Sequence, residues 1–125
     1  VDALYKIKPP FNVNKIAQAC AIESLKDQSF IKKSVKHNLD WAKKIQNTLN
    51  LYNIKTNDIG PNFFLLDFEN CKLSANFVEK KLEASGIILR EMNSYGIKNC
   101  LRLTIGNNHE NKLLLDKLKN IFKNV

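Results

Sequence analysis

Arg90 and Arg102 are the only arginines in this chain of 125 residues, set against eighteen lysines. Where lysine supplies every ordinary point charge, an arginine marks a place that needs the planar guanidinium fork, which holds a carboxylate or phosphate through two parallel hydrogen bonds. Chance placement would give the same two residues, so their setting has to decide. In the stretch Cys100-Leu101-Arg102-Leu103-Thr104-Ile105, strand alternation puts Leu101, Leu103 and Ile105 on one face and Cys100, Arg102 and Thr104 on the other. Arg102 then projects from mid-strand between small neighbours, a setting that suits an anion-binding guanidinium in a cleft. Arg90 ends the preceding apolar run beside a loop containing Tyr95 and can converge on the same anion.

Other chemistry finds no foothold. The chain has no phosphate loop, no Gly-x-Gly-x-x-Gly, no nucleophile elbow and no His-Glu-x-x-His, and its four glycines are scattered singly. Cys20, Cys71 and Cys100 form no Cys-x-x-Cys pair and are odd in number, which predicts reduced, mostly buried thiols and neither a disulfide framework nor a zinc site. His37 and His109 are isolated in polar helical stretches and read as surface residues, with no metal and no catalytic nucleophile implied.

The net charge of +8 and pI near 9.5 invite a nucleic-acid reading. Lys, Asn and Ile are all abundant, however, and all are encoded by AT-rich codons, so base composition alone can load a surface with lysine. A charge excess by itself speaks to solubility and non-specific association. With 44% apolar and 26% charged residues the chain is globular, which excludes disordered, low-complexity and collagen-like classes. Its length suits one domain, burying about two thirds of the surface of the unfolded chain. No apolar run approaches the roughly 18 residues of a membrane span, so a soluble, cytoplasmic protein is expected.

The elements that must position the arginines follow from periodicity. Pro9 and Pro10 predict an extended lead-in over residues 1–13. A helix capped by Asn12 or Asn14 comes next, then a long one whose apolar positions Ile31, Val35, Leu39, Ala42, Ile45 and Leu49 form one stripe. Strands are expected near 53–57, over the apolar run 63–68, at Ile87–Arg90 and at Cys100–Ile105. A helix capped by Ser74 separates the second from the third and ends at Gly86; a last helix opens at Asn107 or Asn108. The fold class is α+β, a small mixed or antiparallel sheet with helices packed on it.

At these residues the sequence resembles a known family. Gly86-Ile87-Ile88-Leu89-Arg90, Tyr95-Gly96, Leu101 to Gly106 and Glu110-Asn111 are similar, in order and spacing, to the C-terminal signature of histidinol-phosphate aminotransferases, pyridoxal-phosphate enzymes of fold-type I. Pro10-Phe11-Asn12-Val13-Asn14 with Ala17-Gln18 resembles that family's linker into its small domain, and Asn62-Phe63 the start of its core strand. Ile59 and Pro61 depart from its pattern.

The resemblance implies a C-terminal small domain over residues 14–125 preceded by a crossing segment from a larger domain, and the initial Val1 in place of Met fits a fragment. It implies that Arg102 and Arg90 bind the phosphate or carboxylate of the substrate, with Tyr95 and Asn62 near the same cleft. The cofactor implied is pyridoxal 5′-phosphate, but the lysine that carries it has no counterpart here, so this chain alone is expected to be inactive. The implied reaction is amino transfer between glutamate or 2-oxoglutarate and the histidinol phosphate pair in histidine biosynthesis, by a homodimer. An aromatic aminotransferase or a threonine-phosphate decarboxylase fits the same branch. A basic interaction domain for nucleic acid is the alternative of a different class.

Overall fold

The computed structural model describes residues 1–8, 11 and 13–123. Among them the order is α1 (Asp2–Ile7), α2 (Lys15–Lys26), α3 (Gln28–Asn50), β1 (Lys55–Thr56), β2 (Phe63–Asp67), α4 (Ala75–Glu83), β3 (Arg90–Glu91), a single 3-10 turn (Asn93–Tyr95), β4 (Cys100–Thr104) and α5 (Asn108–Phe122).

The helix starts are set by short polar side chains. Asn14 accepts from the Ala17 amide at 2.8 Å, and Asp27 accepts from the Phe30 amide at 2.9 Å. Ser74 accepts from the Phe77 amide at 3.3 Å. Asn107 takes the amides of His109 and Glu110, while the Glu110 carboxylate accepts from the Asn107 amide at 2.8 Å, closing a capping box at the head of α5. The other candidate cap, Asn12, lies outside the described residues.

The chain divides into two compact units, residues 1–34 and 35–125. In the first, neither α1 nor α2 buries a residue. The extended lead-in expected over 1–13 is corrected by α1. A proline excludes helix at its own position and biases the residue before it, and Lys8, just ahead of Pro9, is extended at φ −71° and ψ 122°; residues 2–7 remain free to coil.

In the second unit the four strands form one sheet in the order β1-β2-β4-β3, with every neighbouring pair antiparallel. β2 lies against β4 in the register Phe64↔Leu103 and Leu66↔Leu101. These four residues, with Phe68, form the sheet's buried face, and Ala42, Ile45 and Leu49 of α3, Val78 and Leu82 of α4, and Leu114 and Leu118 of α5 close over it. Gly86 follows α4 in the left-handed conformation, φ +77°, which lets the Ile87 amide reach back to the Leu82 carbonyl at 3.0 Å. Two expected strands are shorter than their patterns: 53–57 pairs over Lys55–Thr56 alone, and Ile87–Arg90 contributes only Arg90, joined by Glu91. The expectation of mostly buried thiols is also corrected, since Cys20 is exposed, Cys71 half-buried and Cys100 buried. No helix among the described residues is long and apolar enough to cross a membrane.

Candidate functional site

Burial of Leu101 and Leu103 turns Arg102 to the opposite face of β4, as alternation requires. β3 then sets Arg90 directly opposite it, in the register Arg90↔Arg102. Two like charges facing each other across a strand pair destabilise the pairing, yet neither arginine has a carboxylate partner: the ion pairs among the described residues are Lys26–Glu23 and Lys36–Asp40, both far along the chain. Aromatic side chains hold the arginines instead. Arg90 Nη2 donates to the Tyr95 hydroxyl at 2.7 Å, and its guanidinium carbon lies 5.4 Å from the Tyr95 ring centre. The Arg102 guanidinium carbon lies 5.8 Å from the Phe63 ring centre. Contacts of this kind orient a guanidinium while sparing most of its donors for a ligand.

Both arginines line a cleft of about 690 Å³. It opens where residues 86–89 fail to continue the pairing of β3 with β4, so the missing part of the expected strand is what makes the space. Ile87, Leu103 and Leu114 supply apolar wall, and Glu91 and Glu110 also line the cleft. The Glu110 carboxylate accepts from the Asn107 amide in the capping box, and neither arginine is ion-paired with a carboxylate among the described residues.

Of the residues singled out from sequence, Arg90 and Arg102 are brought together, and Tyr95 joins them through Arg90 without lining the cleft. Asn62 also stays outside the lining; it is exposed just ahead of β2, where its carbonyl accepts from the Ile105 amide at 2.9 Å. A second, smaller hollow of about 160 Å³ holds Glu79 and Glu91. Partial burial, followed by the nearby charges of Glu91 and Glu83, holds the Glu79 carboxyl above the usual range. Burial likewise pushes the Cys100 thiol up, which makes it inert as a nucleophile. Among the described residues no three His, Cys, Asp or Glu side chains gather as a metal site.

Residues 1–118 match the family model described as aminotransferase class I and II. The chain belongs to the class I and II aminotransferase family. Among curated members, a histidinol-phosphate aminotransferase of Pelagibacter ubique is 50% identical over 123 residues, covering 98% of this chain and 34% of the relative. Among solved structures, the histidinol-phosphate aminotransferase of Clostridium acetobutylicum superposes with a TM-score of 0.75 at 25% identity, over 99% of this chain and 38% of that one. The enzyme of Sinorhizobium meliloti, solved in complex with pyridoxal-5′-phosphate, gives 0.76 at 22% identity over 98% and 34%, a likeness of fold. This aminotransferase chain thus spans about a third of the length of the relatives it matches.

Several residues that shape the aminotransferase cleft carry no clear signal in sequence. Asn111 is buried at 2% exposure; its Oδ1 accepts from the Gly106 amide at 2.9 Å and its Nδ2 donates to the Gly106 carbonyl at 2.8 Å. The surface reading of His37 is corrected: it is half-buried, with Nε2 2.9 Å from the same Gly106 carbonyl. The Glu110-Asn111 match in the signature was the sole hint at the clasp. His109 is exposed, as expected.

Proposed function

We propose that this chain is the substrate-anion-binding part of a longer histidinol-phosphate aminotransferase. The observation that carries the reading is the direct cross-strand pairing of Arg90 with Arg102 in one cleft, with neither arginine in an ion pair among the described residues. A phosphate oxyanion placed there takes hydrogen bonds from both forks and relieves their mutual repulsion. Arg102 is the central grip, Arg90 the second, and Tyr95 fixes the direction of Arg90; Asn62, outside the lining, is assigned to the edge of the same site. The apolar wall accommodates the part of the substrate that carries the phosphate.

No lysine lines the cleft among the described residues. The residues that line it therefore do not fit the attachment of pyridoxal phosphate, whose imine chemistry needs a lysine amine. In this reading its attachment, the exchange of an amino group with glutamate and 2-oxoglutarate, and the homodimer partner belong to the longer polypeptide, working in the cytoplasm.

The test is steady-state kinetics of the longer enzyme with histidinol phosphate and with phenylalanine. Arg102→Lys keeps the charge but removes the fork, and is expected to raise KM for histidinol phosphate by about tenfold or more. Phenylalanine as the preferred substrate, or an unchanged KM in the variant, would overturn the assignment.

A further inference from the structure

Two walls of the cleft meet at the turn from β4 into α5. One wall carries Arg102 on β4, the other Glu110, Asn111 and Leu114 on the first turns of α5, and Gly106 lies between them. Whatever fixes Gly106 fixes the α5 side of the cleft in which Arg102 and Arg90 present their forks.

Three ties converge on this turn. Asn111 gives Gly106 both a donor and an acceptor, as a neighbouring strand would, at the end of β4 that β3 leaves unpaired. His37 adds a second donor to the Gly106 carbonyl; because that oxygen can only accept, Nε2 must carry a proton, which the neutral ring already provides. One helical turn along α3, the Trp41 indole N–H donates to the Asn108 side-chain oxygen at 2.7 Å, so α3 grips both sides of the turn from one face. A Cβ on Gly106 would crowd the Glu110 side chain, so enlarging this residue would displace the carboxylate that closes the capping box. Among the described residues Asn111 is the one fully buried polar side chain, and with both ends of its amide satisfied it holds a single orientation.

We propose that Asn111, braced by His37, is a positioning residue that sets the spacing between Arg102 and the α5 wall and so tunes the affinity of the arginine cleft for a phosphate oxyanion. The proposal rests on the anion-binding reading above. Neither residue touches the anion; each acts through Gly106. Small errors in such supporting contacts are costly because a two-point grip tolerates little displacement.

The experiment is titration of the full chain with inorganic phosphate, followed by amide and guanidinium NMR shifts, alongside thermal melting of each variant. In His37→Leu the phosphate Kd is expected to rise about fivefold, and in Asn111→Ala about tenfold or more, each in the folded population. His37→Gln, which keeps a donor at nearly the same reach, is expected to restore affinity. If Asn111→Ala does not fold, the two His37 variants decide the question. A lower Tm with unchanged phosphate affinity in His37→Leu, or equal loss in His37→Leu and His37→Gln, would reduce the clasp to packing and overturn the proposal. Binding that is absent in the parent chain, or indifferent to Arg102→Ala, would instead overturn the anion-binding reading itself.

Discussion

The helices of the two units carry large apolar residues to opposite outcomes. In residues 1–34, Ile16, Ile22 and Leu25 recur on a well-capped helix and all three are exposed, Leu25 at 67%. In residues 35–125 a one-sided apolar face on α5, with Leu114 and Leu118 four residues apart, is buried against the sheet, whereas Ile16 and Leu25 project from opposite sides of α2. The stripe of α3 shows the change along one helix, with Val35 exposed and Ala42, Ile45 and Leu49 fully buried. Periodicity states which face of a helix favours burial; what covers that face is a separate, non-local matter.

The sharpest way to break the comparison is truncation in each unit. Leu101→Ala, at a site with 0% exposure, is expected to cost about 2–5 kcal/mol through lost burial and the cavity left behind. Leu25→Ala should change stability by less than about 0.5 kcal/mol. Urea melts of both variants decide this, and an equal cost would mean that the first unit is packed as tightly as the second.

A smaller contrast lies in the caps. Asn107→Ala removes the reciprocal capping box of α5 and is expected to lower global stability by about 1 kcal/mol. Asn14→Ala removes the single side-chain cap of α2, and should lower helix content by circular dichroism without moving the main unfolding transition. A shift of that transition by Asn14→Ala would tie α2 to the core.

The smallest expected effect is electrostatic and confined to the second unit. Glu79 has its carboxyl held above the usual range by burial and then by Glu91 and Glu83, so the folded state binds its proton more tightly than the unfolded chain. That contribution is present at acid pH, below the unfolded value, and is lost as pH rises through the folded value, leaving a small penalty at neutrality. Glu79→Gln should therefore stabilise the protein near pH 7 by under about 0.5 kcal/mol, after allowance for solvent screening, with the gain fading as pH falls through the raised folded value. A gain that grows on acidification would contradict the upward shift by burial and like charge.

Much of the local structure could be read from neighbouring residues. Asn14, Ser74 and Asn107 cap the helices they were expected to open, and Gly86 takes the left-handed turn its position predicts. β2 and β4 fall on the runs that alternation and apolarity mark, and Arg102 faces away from Leu101 and Leu103. The failures are as instructive. Ile87–Leu89 has strand composition, but pairing begins only at Arg90 because a strand needs a partner in register, which composition cannot supply. His37 sits in a lysine-rich helix and looks solvated until its partner, 69 residues away, is known.

The sequence by itself determined the helices from α2 onward, the neighbourhood of their caps, the inner and outer faces of β4 and the choice of arginine at two positions, because each depends on contacts within a few residues along the chain. The tertiary structure alone decided that Arg90 stands opposite Arg102, that the unpaired run 86–89 opens a cleft beside them, and that Asn111 and His37 converge on Gly106. The reason is physical: strand register and long-range hydrogen bonds are settled by the packing of the whole sheet against α3, α4 and α5, where every buried polar group must find a partner at once.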